Sequence, residues 1–209
     1  ADFTITAAIS DAKAGPIYAE GFTTSYGDGG RATIDGGTSG ASYVLLTCNV
    51  DRRIFRNLIF KNNGATGSAS GVACNSAHFI SCVFHDVRGS GITSVSSRII
   101  ECEAYACNQS NTASLGGISL QGSVGLRCIS HDNSGSNNNG FILVTQSNNF
   151  LINSIADTNG LHGALIGLRD GFASVINCEF YNNGTDGIRL TSATNGGLFH
   201  ASNCNFIKN

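Results

Sequence analysis

The feature that most constrains this chain is an internal repeat. The octet Asn177-Cys178-Glu179-Phe180-Tyr181-Asn182-Asn183-Gly184 recurs in degraded form along most of the sequence, as at residues 57–64, 81–86, 101–105, 127–133, 153–160 and 203–209. Its second position falls on Leu58, Cys82, Cys102, Cys128, Ser154, Cys178 and Cys204, at intervals of 24, 20, 26, 26, 24 and 26 residues. A fixed period of that size marks a stack of similar supersecondary units, each too small to bury its own apolar face.

A second landmark keeps the same step. Gly71, Gly91, Gly117, Gly140, Gly163 and Gly187 each precede an alternating apolar stretch, at intervals of 20, 26, 23, 23 and 24 residues. Two columns in one register, with three short apolar pieces per period, predict an all-β fold. We expect a single-stranded right-handed parallel β-helix of about seven coils. The leucine-rich spacing, the longer propeller period and a six-residue rhythm are absent. Residues 1–53 are expected to form an N-terminal cap and first coils, and residues 54–209 the regular repeats of one continuous domain. In the cap, Ile5, Ala8, Ile9 and Ala12 share a helical face, with Gly15 and Pro16 as stop signals, so a short capping helix is expected. Strands are expected at 17–22, 32–37 and 43–48.

The repeat also assigns the cysteines. Five of the eight share one position, which predicts buried, stacked thiols; Cys82/Cys102, Cys102/Cys128 and Cys178/Cys204 are the pairs near enough for a disulfide. Ile80, Ile100, Leu126, Ile152 and Ile176, two residues earlier, are expected on the same inward face. Phe60 is expected near Phe84 and Phe180 near Phe206. Asn63, Asn133, Asn159, Asn183 and Asn209 share one bend and predict an inward amide ladder tolerant of left-handed angles. Val87 and Cys107 interrupt it, and a broader bend is expected there.

Composition narrows the function. With 12 basic against 14 acidic residues, the chain lacks the charge of a nucleic-acid binder. No apolar run is long enough to span a membrane, and no signal-peptide pattern opens the chain. The residues with chemistry are His85-Asp86 and His131-Asp132, at one repeat position two coils apart, on the order of 10 Å at the strand spacing. Tyr105 lies between them, and Asp157 and Tyr181 continue the column. They define either a carbohydrate-facing strip, with His and Asp as acid–base groups and Tyr105 and Tyr181 as stacking surfaces, or solvent-facing turn residues. His162 and His200 read as isolated, and Arg52, Arg53 and Arg56 as a solvated basic face.

Thr4-Ile5-Thr6-Ala7-Ala8-Ile9 with Gly15, the stretch Ala32-Thr33-Ile34-Asp35-Gly36-Gly37 and the Asn-x-x-Phe-x-Asn-Asn repeats resemble pectate-lyase-like right-handed β-helix proteins over nearly the whole chain. That resemblance implies the fold. It also implies a choice among polysaccharide lyases, glycosidases, epimerases and phage tailspike or other virion proteins. Short bends and scattered carboxylates favour a non-enzymatic structural or binding module of virion or cell-surface type, touching polysaccharide. The alternative is a lyase or epimerase acting on acidic glycans. No cofactor or metal is expected, Ca²⁺ entering only with the lyase alternative, where Asp86, Asp132, Asp157 and Arg88 would be the candidates. The absence of a C-terminal cap leads us to expect self-association, or an assembly partner, through that end.

Overall fold

The computed structural model describes all residues except 1, 5–8, 12–15, 26–28, 50, 146, 169 and 192–196, and the backbone alone for 2–4, 9–11, 145 and 168. Every strand pairing is parallel, and the strands stack into three sheets of nine, eight and eight members. One coil shows the plan: Ala77–Ile80 in the third sheet, Val83–His85 in the first, Ile92–Val95 in the second, then Arg98–Ile100 directly above the start. Seven third-sheet strands, from Arg53–Arg56 to Leu198–Ser202, mark the seven regular coils among the described residues.

Single residues in the left-handed region turn the corners. One column, Asn57, Ser81, Glu101, Arg127, Asn153, Asn177 and Asn203, holds φ between +51° and +55° immediately before the Cys position. A second holds Asn62, Asp86, Ala106, Asp132, Thr158, Asn182 and Lys208 at +49° to +53°, immediately before the Asn position. Asn and Asp tolerate this region better than most residues, which accounts for much of the motif's composition.

The side chains between the corners stack like on like. Phe60 lies on Phe84 at 5.5 Å between ring centroids, and Phe180 on Phe206 at 5.4 Å. All eight cysteines are free thiols. Cys82, Cys102, Cys128 and Cys178 are buried, and each thiol reaches the carbonyl two residues earlier, as Cys178 Sγ does to Ile176 O at 3.2 Å. Ser154 takes the same place and donates to Ile152 O at 2.9 Å.

The Asn ladder forms at the other corner. Asn133 donates through Nδ2 to Asn159 Oδ1 at 2.7 Å, Asn159 to Asn183 Oδ1 at 2.9 Å, and Asn183 to Asn209 Oδ1 at 2.7 Å. The glycine column makes room for it. A Cβ on Gly163 would stand 2.6 Å from Gly187 O and 2.9 Å from Asn183 Nδ2.

Three expectations need correction. The segment expected as a capping helix contributes strands instead: Asp2–Thr4 pairs with 33–35 in the first sheet and Ile9–Asp11 with 46–48 in the second. The edges of those next strands carry open backbone donors and acceptors, and pairing them outweighs the weak helical pattern. The remainder of that segment, 5–8 and 12–15, lies outside the described residues. Ile80, Ile100, Leu126, Ile152 and Ile176 do not share the inward face of the Cys column; the inward residues are Phe79, Ile99, Leu151 and Val175. The left-handed residue between them resets the strand's two-residue alternation. At Val87 and Cys107 the preceding corner residues keep the shared turn, with Asp86 at +53° and Ala106 at +49°, and the bend after Cys107 adds left-handed residues at Asn108, Asn111 and Ser114. Finally, the strands expected at 17–22, 32–37 and 43–48 are shorter, at Ile17–Glu20, Ala32–Asp35 and Leu46–Cys48.

Candidate functional site

First-sheet strands are three or four residues long in the regular coils, so each offers few outward side chains. The inward residues are Phe60, Phe84, Ala104, Ser130, Ala156 and Phe180. The outward residue that follows each of them forms the column Lys61, His85, Tyr105, His131, Asp157 and Tyr181, in unbroken register. The corner residues Asp86 and Asp132 come next, and the left-handed φ swings each carboxylate back onto its own histidine. His85 Nδ1 lies 2.7 Å from Asp86 Oδ2, and His131 Nδ1 lies 2.7 Å from Asp132 Oδ2.

The rings between these pairs form a stack. Tyr105 lies 4.8 Å from His85 with the planes 5° apart, and 5.3 Å from His131 at 21°. Both faces of Tyr105 are covered, so it cannot serve as the stacking surface expected for a sugar. It offers its hydroxyl edge instead. Burial pushes the Tyr105 phenol up, and the charges of Glu103 and Asp86 push it further, while Arg31 acts in the opposite direction. Tyr105 is therefore a protonated donor at neutral pH.

The two histidines differ. Asp86 engages His85 at Nδ1, and in the tautomer that carries its proton there Nε2 is the acceptor. His131 is held at both nitrogens, its Nε2 lying 3.0 Å from Glu103 Oε1. Burial depresses the His131 imidazole, but the hydrogen bonds from Glu103 and Asp132 outweigh it and raise its pKa above the ordinary value. His85 therefore meets one carboxylate and His131 two.

Asp157 accepts from Thr158 Oγ1 at 2.6 Å and from Asn182 Nδ2 at 3.4 Å. Tyr181 bonds to Asp157, and burial, followed by the charges of Asp157 and Glu179, raises its pKa. At the other end, Lys61 Nζ is 3.3 Å from Asp35 Oδ2. Among the described residues, no group of three or more His, Cys, Asp or Glu side chains is placed to hold a metal ion. Arg88, the base candidate of the lyase alternative, has a buried Nε with no hydrogen-bond partner among the described residues.

Other residues fall away from this column. His162 is not isolated: its Nδ1 lies 2.7 Å from Thr185 Oγ1 and 3.2 Å from Asp186 Oδ2. His200 Nδ1 lies 3.2 Å from Ser174 Oγ. The basic run is not a solvated face throughout, because Arg53 is fully buried and Arg56 lies 3.9 Å from Glu20. Arg52 and Arg53 line a cavity of about 600 Å³ on the third sheet with Tyr18, Ile54 and His78. His78 drew no attention in the sequence; its register neighbour Arg98 is the signal that would have singled it out. A cavity of about 510 Å³ at the last coil is built from Ile188, Leu190, Phe199 and Phe206 and contains none of the expected site residues.

This architecture has known counterparts. The chain aligns over 99% of its length with 66% of the pectate lyase Pel9A, at a TM-score of 0.69 and 19% identity. The fold is the right-handed parallel β-helix of pectate lyases. A variant of the periplasmic alginate epimerase AlgG shares the β-helix over 90% of this chain and 47% of its own, at a TM-score of 0.59 and 14% identity. An alginate lyase from Paenibacillus sp. shares it over 100% and 88%, at 0.50 and 13%. The chain thus spans between about half and two thirds of the first two β-helix proteins. No family model and no curated protein matches the sequence.

Proposed function

We propose that the chain is a polysaccharide lyase or epimerase acting on acidic glycans, with the outer face of the first sheet as its active surface. The observation that carries this reading is the stack of His85, Tyr105 and His131, with Asp86 bound to His85 Nδ1. His85 Nε2 takes the proton from the carbon α to a uronate carboxylate. Tyr105 supplies a proton from its hydroxyl: to the leaving glycosidic oxygen as that bond breaks in a lyase, or to the opposite face of the same carbon in an epimerase. The carboxylate needs positive charge, and Arg31, whose charge reaches Tyr105, supplies it. The alginate and pectate enzymes that share the fold support the substrate class.

The test is incubation with a panel of acidic polysaccharides in deuterated water. Unsaturated uronide release reports a lyase, and deuterium at the reacting carbon reports an epimerase. One of the two is expected in the natural protein and neither in His85→Ala. If no polymer gives either signal, the enzymatic reading fails. The second reading is a non-catalytic glycan-contacting module of virion or cell-surface type. It is favoured by the acidic balance of the face, where Glu103, Asp157 and Glu179 accompany the two Asp–His pairs and Lys61 is spent on Asp35.

A further inference from the structure

Beside the stack lies a pocket that the proton-transfer chemistry does not use. It measures about 320 Å³ and is lined by Ala106, Asn108, Gln109, Asn111, Ser134 and Asn138, with Cys107 and Gly135 completing the wall. Ala106 directly follows Tyr105 in the chain. Gln109 donates through Nε2 to Asp86 Oδ1 at 3.2 Å, so the pocket wall and the His85–Asp86 pair are one hydrogen bond apart.

Three properties define what would fit. The lining carries no charged side chain, so no cation meets a carboxylate, sulfate or phosphate. The walls are fixed by their own amides: Asn108 Nδ2 donates to Asn138 Oδ1 at 2.6 Å, and Asn111 Oδ1 accepts from Asn137 N at 2.9 Å. The Ser134 hydroxyl and the Gln109 carboxamide oxygen make no hydrogen bond among the described residues, which leaves them for a ligand. The volume is at the small end for ligand pockets, suited to one ring rather than a chain.

We infer that this pocket seats an uncharged pyranose, the unit next to the uronate on the stack. The inference rests on the proposed function and sharpens it. The substrate is then a mixed glycan in which acidic and neutral sugars adjoin, rather than a polymer of uronate alone.

The experiment is a titration of the full chain with neutral disaccharides (cellobiose, maltose and lactose), followed by NMR of the side-chain amides of Asn108, Asn111 and Asn138. At least one disaccharide is expected to shift these signals. In Ser134→Tyr, whose ring fills the pocket mouth, its Kd should rise about tenfold or more, as expected when a large group displaces a bound ligand from a small site. The inference is overturned if no neutral disaccharide moves the amides of the natural protein, or if Ser134→Tyr binds as before. The amide shifts in the natural protein decide the question even if the variant does not fold. Shifts without turnover of any acidic polymer would uphold the pocket and remove the enzymatic reading. Turnover without shifts would do the reverse.

Discussion

Tyr105 lies flat against His85, 4.8 Å between ring centroids and 5° from parallel, and this contact turns a repeat position into a chemical unit. Register alone brings the two residues side by side. The planar contact fixes which atoms each ring shows to solvent.

Tyr105→Phe keeps the stack and removes the hydroxyl. Turnover should fall about 100- to 10,000-fold, the usual worth of one acid–base group, with the melting temperature unchanged. Tyr105→Ala should lose activity and also stability, by about 0.5–1.5 kcal/mol beyond the lost burial. Kinetics and urea denaturation of both variants separate the chemical from the packing role.

His131 makes stability depend on pH. Its folded pKa lies above the ordinary 6.5, so the folded state holds the proton more tightly than the unfolded chain. The stabilisation is complete below that ordinary value and is lost as pH rises through the folded pKa. His131→Asn should therefore lower the melting temperature most on the acid side, the gap closing in alkali. His78 works in the opposite direction. Burial, with Arg98 second, depresses its pKa below 6.5. Stability should fall as pH drops through that ordinary value, and His78→Gln should remove the loss. Thermal melts across this range test both.

Asn159→Ala removes the centre of the amide ladder. Ser130 O loses a donor at 3.0 Å, and Asn133 Nδ2 loses its 2.7 Å acceptor. With Asn133 Nδ2 left on Ser130 Oγ alone at 3.2 Å, the change should cost about 1–3 kcal/mol. Asn159→Asp should be worse at neutral pH, because the new carboxylate would face the Ser130 carbonyl. Urea midpoints of the two variants give the comparison.

The buried thiols should be unreactive in the folded chain. Burial pushes Cys128 and Cys74 up to about 12 and Cys178 to about 11. Cys204 is only half-buried. Thiol-reactive labelling of the native protein should modify Cys204 first and the others on the timescale of unfolding. Cys128→Ser should fold and melt close to the natural protein, because Ser154 already fills an equivalent place. Mass spectrometry of the labelled protein identifies the order.

The coil plan was legible because a β-helix stacks like residues on like. Columns of Cys, Phe, Asn and Gly appear as a period before any coordinate is known. The His85–Asp157 column followed from that same register. Other features depend on geometry that the period does not carry. The inward or outward sense of Ile80 is decided by one left-handed residue, Ser81, and the two-residue alternation cannot be carried across it. The N-terminal strands depend on which edge is open, a property of the neighbouring coil rather than of residues 1–16. His78 sits in no motif of its own and acquires meaning only beside Arg98 and the buried Arg53. The flat packing that removes Tyr105 as a sugar platform depends on ring orientation, and spacing alone does not set it.

The Asn ladder bears on chemical ageing. Asn63, Asn159 and Asn183 are each followed by glycine, the sequence in which an asparagine side chain most readily cyclises onto the next backbone nitrogen and deamidates. In the folded chain that nitrogen is already engaged: Gly160 N donates to Asn133 O at 2.8 Å, Gly184 N to Asn159 O at 2.8 Å, and Gly64 N to Gly37 O at 3.0 Å. The amides that would be attacked are held as well, Asn159 and Asn183 in the ladder and Asn63 between Tyr43 O, Ala69 O and Arg88 N. Damage should therefore accumulate only during transient opening, and each isoaspartate would add a backbone methylene and a charge where coils must match. The useful lifetime of the protein is then governed by how often its coils open, a rate rather than an equilibrium.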